Sequence, residues 1–342
     1  GDLSRDQWDL LHQLHDRVAP YRDDLPEEDK DFCDLETCRR YLVARQWNLK
    51  KAEAQLISTL KWRKKENPSA KHFWQSPKAL ENPLAFNMRI VGWDKLGRPI
   101  NYTCFAEAHD RWDSEAVGIH VQLVLEACQN LIRQRRQRGL NPTAVSRQAV
   151  WVVDFDGFGL RDQDPRAAVI TAHLLQHYPE MMSLVVLIDA PVLFNGVFRL
   201  MSPLLDERIK SKIMFVKGKE AGHILQERLG MEAAQWIEQE TMDNKEKRVG
   251  AKNQKGGFKK YWIAPRNRHE HNPRGIDSYI QSDLYVKTPG DAFEERKQKQ
   301  EKKLLDGIFS GTSDEPAGQN IRVATLLRGS SFPDSAVCID SL

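Results

Sequence analysis

The sequence predicts an α/β fold: a small N-terminal helical region, then a mixed, mostly parallel sheet with helices over it. Three observations carry this reading. The runs 150–154, 184–189 and 213–216 are almost wholly apolar, as in Val150, Trp151, Val152 and Val153, and strands this apolar are covered on both faces. Helix-length segments at about 164–178 and 193–205 lie between them, giving strand–helix alternation. Upstream, 88–92 and 99–103 are strand-like and flank Asp94-Lys95-Leu96-Gly97, a turn signal that predicts a hairpin.

The elements follow in order. Residues 1–30 hold one amphipathic stretch, with Leu3, Trp8, Leu11 and Leu14 apolar, then an acidic run from Asp23 to Asp29 that reads as a linker. Asp34 can cap a helix whose apolar residues are Leu35, Cys38, Tyr41 and Leu42. Asn48 can cap a second, with Leu49, Ala52, Leu56 and Leu60 on one face and Pro68 beyond its end. A long helix is predicted over about 114–138, closed by Arg133, Arg135, Arg136 and Arg138 and stopped by Gly139. After Asn244 the periodicity fades: 245–260 is basic, 294–303 is a charged run compatible with helix, and 307–342 is broken by Gly, Ser and Pro. The expected division is an extension at 1–30, a helical subdomain at 31–76, the sheet domain at 77–242 and a basic, largely flexible tail at 243–342.

Composition narrows the function. A net charge of +3 over 342 residues argues against a dedicated nucleic-acid binder. The five cysteines are odd in number and form no Cys-x-x-Cys pair, which fits free thiols in a reducing compartment. Neither a secretory leader nor an apolar run of about 18 residues is visible, so the expectation is a cytoplasmic protein, peripheral at membranes. The chemistry of common enzymes is missing. There is no Gly-x-Ser-x-Gly; Gly157-Phe158-Gly159 lacks a third glycine; Lys217-Gly218-Lys219-Glu220 is no phosphate loop. His173 and His177 could share a helix face, but Leu174 stands where the zinc motif needs Glu. Asp154 and Asp156 follow a strand as catalytic carboxylates do, or cap the turn at Gly157. The expectation is a protein with no catalytic residue, metal or cofactor.

Two stretches point elsewhere. Phe194, Val197, Phe198, Met201, Leu204 and Leu205 recur at three and four, a broad apolar stripe. Asn195, Gly196 and Pro203 make poor helix interior and mark places to bend. The segment reads as a helix packed on the sheet or as a cover that moves. In the tail, Lys245, Lys247, Arg248, Lys252, Lys255, Lys259 and Lys260, near Phe258, Tyr261 and Trp262, form either a membrane-surface patch or a solvated run.

Several motifs together resemble the CRAL-TRIO lipid-binding family. They are the helical lead-in from Cys38 to Asn48 with Lys61-Trp62-Arg63; the hairpin Gly92-Trp93-Asp94-Lys95-Leu96-Gly97-Arg98-Pro99; and Val153-Asp154-Phe155-Asp156-Gly157. His177-Tyr178-Pro179-Glu180, Ile188-Asp189-Ala190-Pro191, Phe198 to Asp206, and Ser211-Lys212-Ile213 complete the set. The resemblance spans roughly 31–240 and is closest to the fungal secretory phosphatidylinositol/phosphatidylcholine transfer members. It implies an internal apolar lipid cavity, a gating helix at Phe194–Leu205, and a monomer that moves one lipid between membranes without catalysis. It also implies a headgroup site. The family's basic pair falls at Arg45 and Gln46, its Glu at Glu180, its Thr at Ile209 and its Lys at Lys212; Arg45, Glu180 and Lys212 also read as surface charges, a Glu beside Lys or Arg being often a plain salt bridge. The family's phosphocholine-holding Ser and Thr fall at Ala149 and Trp151, and Trp151 is expected on the pocket wall. Phosphatidylinositol is the first candidate ligand. A protein partner recruited through the tail is the alternative role.

Overall fold

The computed structural model describes residues 3–71, 88–105, 113–140, 143–163, 165–205, 207–218, 220–253 and 271–310. Four helices come first. In α1 (Arg5–Arg17), Ser4 and Gln7 form a reciprocal capping box. A short α2 (Ala19–Asp23) follows. In α3 (Leu35–Ala44) the Asp34 side chain accepts from Thr37 N, and in α4 (Leu49–Glu66) Asn48 does the same for Lys51 N. Leu11, Leu14, Leu42, Leu56 and Leu60 bury together in one small core. The stretch 1–30, expected as an extension with an acidic linker, is part of this core: Leu25 is buried, and Glu27–Phe32 is a 3₁₀ turn carrying Asp29 inward. The acidic run hid this because one of its carboxylates has a buried partner. Arg63 Nη2 meets Asp29 Oδ1 at 2.6 Å.

The sheet has five strands in sequence order, β1 (Arg89–Trp93), β2 (Pro99–Cys104), β3 (Ala149–Asp154), β4 (Met182–Ile188) and β5 (Ile213–Val216). β1 and β2 form the expected hairpin; the other pairings are parallel. Asp94 organises the turn by accepting from Leu96 N and Arg98 N at 3.0 and 2.8 Å. Helix α5 (Ser114–Gln137), capped by Asp113, covers β1 and β2. Next come α6 (Pro165–Leu175), α7 (Phe194–Met201), the one-turn α8 (Glu207–Lys210), α9 (Glu220–Leu229) and α10 (Met231–Asn253). The predicted helix 193–205 stops at Met201, because Pro203 turns its end into a 3₁₀ segment, Ser202–Leu204.

Strand alternation gives the sheet two unlike faces. Thr103, Trp151, Val153, Val185 and Leu187 share one face across the register; Tyr102, Val152, Asp154 and Val186 share the other. The second face packs on α10, with the Tyr102 and Trp236 rings 5.4 Å apart. The first face looks toward α5, α6 and α7.

The helical region is bolted to the sheet domain through buried polar contacts. Arg63 pairs with Glu126 of α5 at 2.8 Å, and Tyr178 Oη donates to the same carboxylate at 2.5 Å. Burial opposes both charges, yet the Arg63–Glu126 attraction overrides it and holds the Glu126 carboxyl below its ordinary range. His177 stacks on Trp62 at 4.3 Å. Thr59 Oγ1 lies 3.0 Å from its Nδ1, and Tyr41 Oη donates to its carbonyl at 2.9 Å.

The chain beyond Asn244 differs from the flexible tail the sequence suggested. Helix α10 runs on to Asn253, with Asn244 itself buried. Residues 271–288, which include α11 (Asp277–Ile280), form a strap against β1, and α12 (Pro289–Ser310) follows. Ile276 N donates to Val91 O at 2.7 Å. Arg89 Nε donates to Pro273 O at 2.8 Å, and Glu240 takes both Arg89 and His271, at 2.7 and 2.6 Å. Ile276, Tyr279 and Leu284 enter the main core. A strap that crosses a sheet edge needs only a few anchors and no period, so polar residues around them mask it. In the basic patch, Lys245 pairs with Asp189 at 3.0 Å. Lys255, Phe258, Lys259, Lys260, Tyr261 and Trp262 lie outside the described residues, as does 311–342. Cys33, Cys38, Cys104 and Cys128 are buried thiols that form no disulfide.

Candidate functional site: an apolar cavity under helix α7

A cavity of about 230 Å³ lies on the first face of the sheet. Trp151, Val153, Val185 and Leu187 form its floor, Val117 and Val121 of α5 and Ala168 and Leu175 of α6 its sides. Its cover is α7, through Phe194, Val197, Phe198 and Met201, with Leu205 just beyond. Six of the seven expected pocket residues therefore stand together. The exception is Leu204, which the 3₁₀ turn after α7 rotates off the cavity wall.

Two features of the cover matter. Its start is pinned by an aromatic cluster that periodicity did not reveal: Phe194 lies 4.6 Å from Phe155, and Phe158 and Phe105 complete the group at 5.3 and 5.2 Å from Phe155. Its outer side mixes polar and apolar groups, with Asn195 and Arg199 exposed beside Leu200. Leu200 is 55% exposed and Val192, just ahead of the helix, 78%; Leu160, on the 3₁₀ turn packed against α7, is 78% exposed. Apolar side chains exposed together in this way mark an interaction surface.

The floor has little to offer a polar group. Trp151 Nε1 donates to Thr103 Oγ1 at 2.9 Å, so the indole satisfies itself within the wall. At one end Glu180, Ile209 and Lys212 reach the cavity; Thr103, His120, Asp162 and Thr171 are further polar or ionisable residues on its wall. The Tyr178-Pro179-Glu180 turn puts Glu180 in a left-handed conformation (φ 55°), and Gln148 Nε2 donates to its carbonyl at 2.9 Å. The Glu180 carboxylate meets Lys212 Nζ at 3.0 Å and Arg208 Nε at 2.7 Å. Arg45 and Gln46 stand apart from this group. Arg45 caps α3 and donates to Gln55 at 2.8 Å, Gln46 turns left-handed, and neither lines the cavity. Arg208 was not foreseen. Its place four residues before Lys212 was the available signal.

Other singled-out residues serve packing. Asp154 faces away from the cavity, toward α10. It accepts from Tyr102 Oη and Asp156 N, both at 2.9 Å, and burial raises its carboxyl above the ordinary range. His177 has the stacked, hydrogen-bonded place described above, and burial followed by the nearby Arg63 lowers it to about 4.

Residues 87–234 match the family described as CRAL/TRIO domain. The match agrees with the resemblance that the motifs suggested, and the α/β fold expected from strand–helix alternation is the fold found. A solved structure, that of Sfh5, superposes with a TM-score of 0.50 at 15% identity, covering 67% of this chain and 85% of that one. "Protein real-time" of Anopheles gambiae is 26% identical over 237 residues, 65% of this chain and 33% of that protein. "CRAL-TRIO domain-containing protein T23G5.2" of Caenorhabditis elegans is 28% identical over 203 residues, 55% and 27%. The chain thus spans about a third or less of the length of these curated relatives. Among the described residues, no helix is long and apolar enough to cross a membrane.

Proposed function

We propose that this protein binds one lipid in the cavity under α7 and carries it between membranes, or presents it there, without chemical change. The observation that carries this reading is an apolar cavity covered by a helix with an apolar inner face, beside which Leu200, Val192 and Leu160 stand exposed. Burying a CH₂ is worth about 0.8 kcal/mol, so a two-chain lipid of roughly thirty such groups would lose on the order of 20 kcal/mol on entering water bare. A dry cavity offsets that loss and turns extraction into near-neutral exchange. The volume of about 230 Å³ is below the ~300–1,000 Å³ usual for ligand sites, so loading a two-chain lipid requires α7 to swing out. The exposed Leu200 and Val192 then meet acyl chains while the inner face opens. Such a protein works in the cytoplasm, peripheral at membranes, as a monomer. Phosphatidylinositol is the first lipid to test, with Glu180, Lys212 and the Ile209 backbone turn at its headgroup.

The test is exchange of labelled lipid between vesicles by the full chain, free and with a disulfide tying α7 to α6. Lipid movement that stops on cross-linking and returns with reductant supports the reading. Exchange at the free rate by the cross-linked protein refutes α7 as the gate. The double variant Glu180→Ala, Lys212→Ala should slow phosphatidylinositol. Normal exchange by it would point to a neutral, apolar ligand instead. A second reading, a lipid-reporting adaptor with a protein partner, draws on α12, where Leu304 and Leu305 stand 53% and 39% exposed among charged residues. Loss of cellular function on deleting α12, with vesicle exchange intact, would favour it.

A further inference from the structure

The Glu180 carboxylate has two cations on it, and they approach from different sides. Lys212 is part of the cavity wall and holds Oε2 at 3.0 Å. Arg208 is not on that wall; its Nε holds Oε1 at 2.7 Å, while its side chain is 42% exposed. The same guanidinium donates through Nη1 to Val43 O at 3.1 Å, near the end of α3. Arg208 is thus fixed at two points, on the carboxylate and on the helical subdomain.

We infer that Arg208 is a positioning residue that sets the charge preference of the lipid headgroup, making this end of the cavity selective for phospholipids of net negative charge. The inference rests on the lipid-carrier reading. With Lys212 alone, Glu180 would be neutralised one to one. Turning Lys212 toward a phosphate would then strand a carboxylate that is only 11% exposed, and such stranding is costly. With Arg208 holding Oε1 from outside, Glu180 keeps a partner when Lys212 turns. Among the described side chains at this end, two cations meet one carboxylate, an excess of one positive charge. That charge attracts a headgroup phosphate with no compensating cation and repels the ammonium of a zwitterionic headgroup. Ile209 beside it offers no side-chain hydrogen bond, so charge is what this end can discriminate.

The experiment uses the full chain with pyrene-labelled phosphatidylinositol or phosphatidylcholine, in vesicles otherwise of phosphatidylcholine, so that the membrane surface itself carries little charge. Arg208→Gln should lower the ratio of phosphatidylinositol to phosphatidylcholine exchange roughly fivefold, as for one partly solvated charge at close range. Arg208→Lys should restore most of it. An unchanged ratio in Arg208→Gln, or both rates falling alike, overturns the inference and leaves the carrier reading standing. Inhibition of wild-type exchange by inorganic phosphate at constant ionic strength would overturn the assignment to a lipid headgroup. A wild-type chain that moves neither lipid defeats the carrier reading, and the inference with it.

Discussion

Phe194→Ala isolates the cover from the core. The ring sits half-buried, 4.6 Å from Phe155, 5.9 Å from Phe158 and 6.0 Å from Phe198. Truncating a fully buried Phe costs about 3–5 kcal/mol, and a half-buried one with such ring pairs about 2 kcal/mol. The contacts with Phe155 and Phe158 join α7 to the loop after β3, and that with Phe198 lies within α7. The loss therefore falls on the closed position of α7. At 1.4 kcal/mol per tenfold, the open population rises roughly 30-fold. Native-state amide exchange reads this directly. Amides of 195–201 should exchange about 30-fold faster, while those of β3 keep the wild-type rate. Vesicle exchange should quicken as well if opening limits it. If β3 amides accelerate to the same degree, α7 unfolds with the core, and the reasoning that makes it a separate moving part is wrong.

Three further expectations concern the frame around the site. Glu126→Gln leaves Arg63 buried with only Asp29 for charge and should cost about 3–5 kcal/mol, read as a shift of the urea midpoint; a loss under 1 kcal/mol, on the order of a surface pair, would refute the burial argument. His177 is lowered from 6.5 to about 4 by burial first and Arg63 second. Since the unfolded chain takes up that proton at higher pH than the folded one, stability should fall as pH drops from 6.5 toward 4. Discounted for partial exposure, this amounts to about 2–3 kcal/mol. His177→Gln should flatten that part of the pH profile, and an unchanged slope would assign it elsewhere. Gly275 has φ 144° and an added Cβ would lie 2.5 Å from Val91 O, so Gly275→Ala should loosen the strap by about 2 kcal/mol. Faster protease cleavage within 271–288 is the readout, and wild-type resistance would mean the backbone adjusts.

What the sequence revealed and concealed divides along physical lines. The apolar runs of β3, β4 and β5 and the caps of α3 and α4 are local signals, and they were legible. So was the stripe of α7, except that Pro203 moved Leu204 off it. The burial of Asp29 against Arg63 was not, because a carboxylate in an acidic run looks the same whether or not a distant arginine reaches it. The strap gave no sign either, since Ile276, Tyr279 and Leu284 have no common spacing. At the polar end, Glu180 and Lys212 came from resemblance to a family, while Arg208 came from geometry alone. Arg45 and Gln46 lie off the cavity wall, and the left-handed turns at Gln46 and Trp47 that follow α3 cannot be read from residue type.

The strap has a practical side. β1 is the outer strand of the sheet, and an uncovered outer strand is a template on which a second chain can add. Here Ile276 takes the Val91 carbonyl, and its side chain fills the space over Gly92, where an added Cβ would lie only 2.5 Å from Ile276 Cδ1. The CRAL/TRIO match ends at residue 234. A recombinant fragment trimmed to that limit would lose Glu240, the partner of Arg89, together with the segment that terminates the sheet. It would expose a bare strand edge beside an arginine stripped of its carboxylate partner, and self-association through β1 would be its characteristic failure.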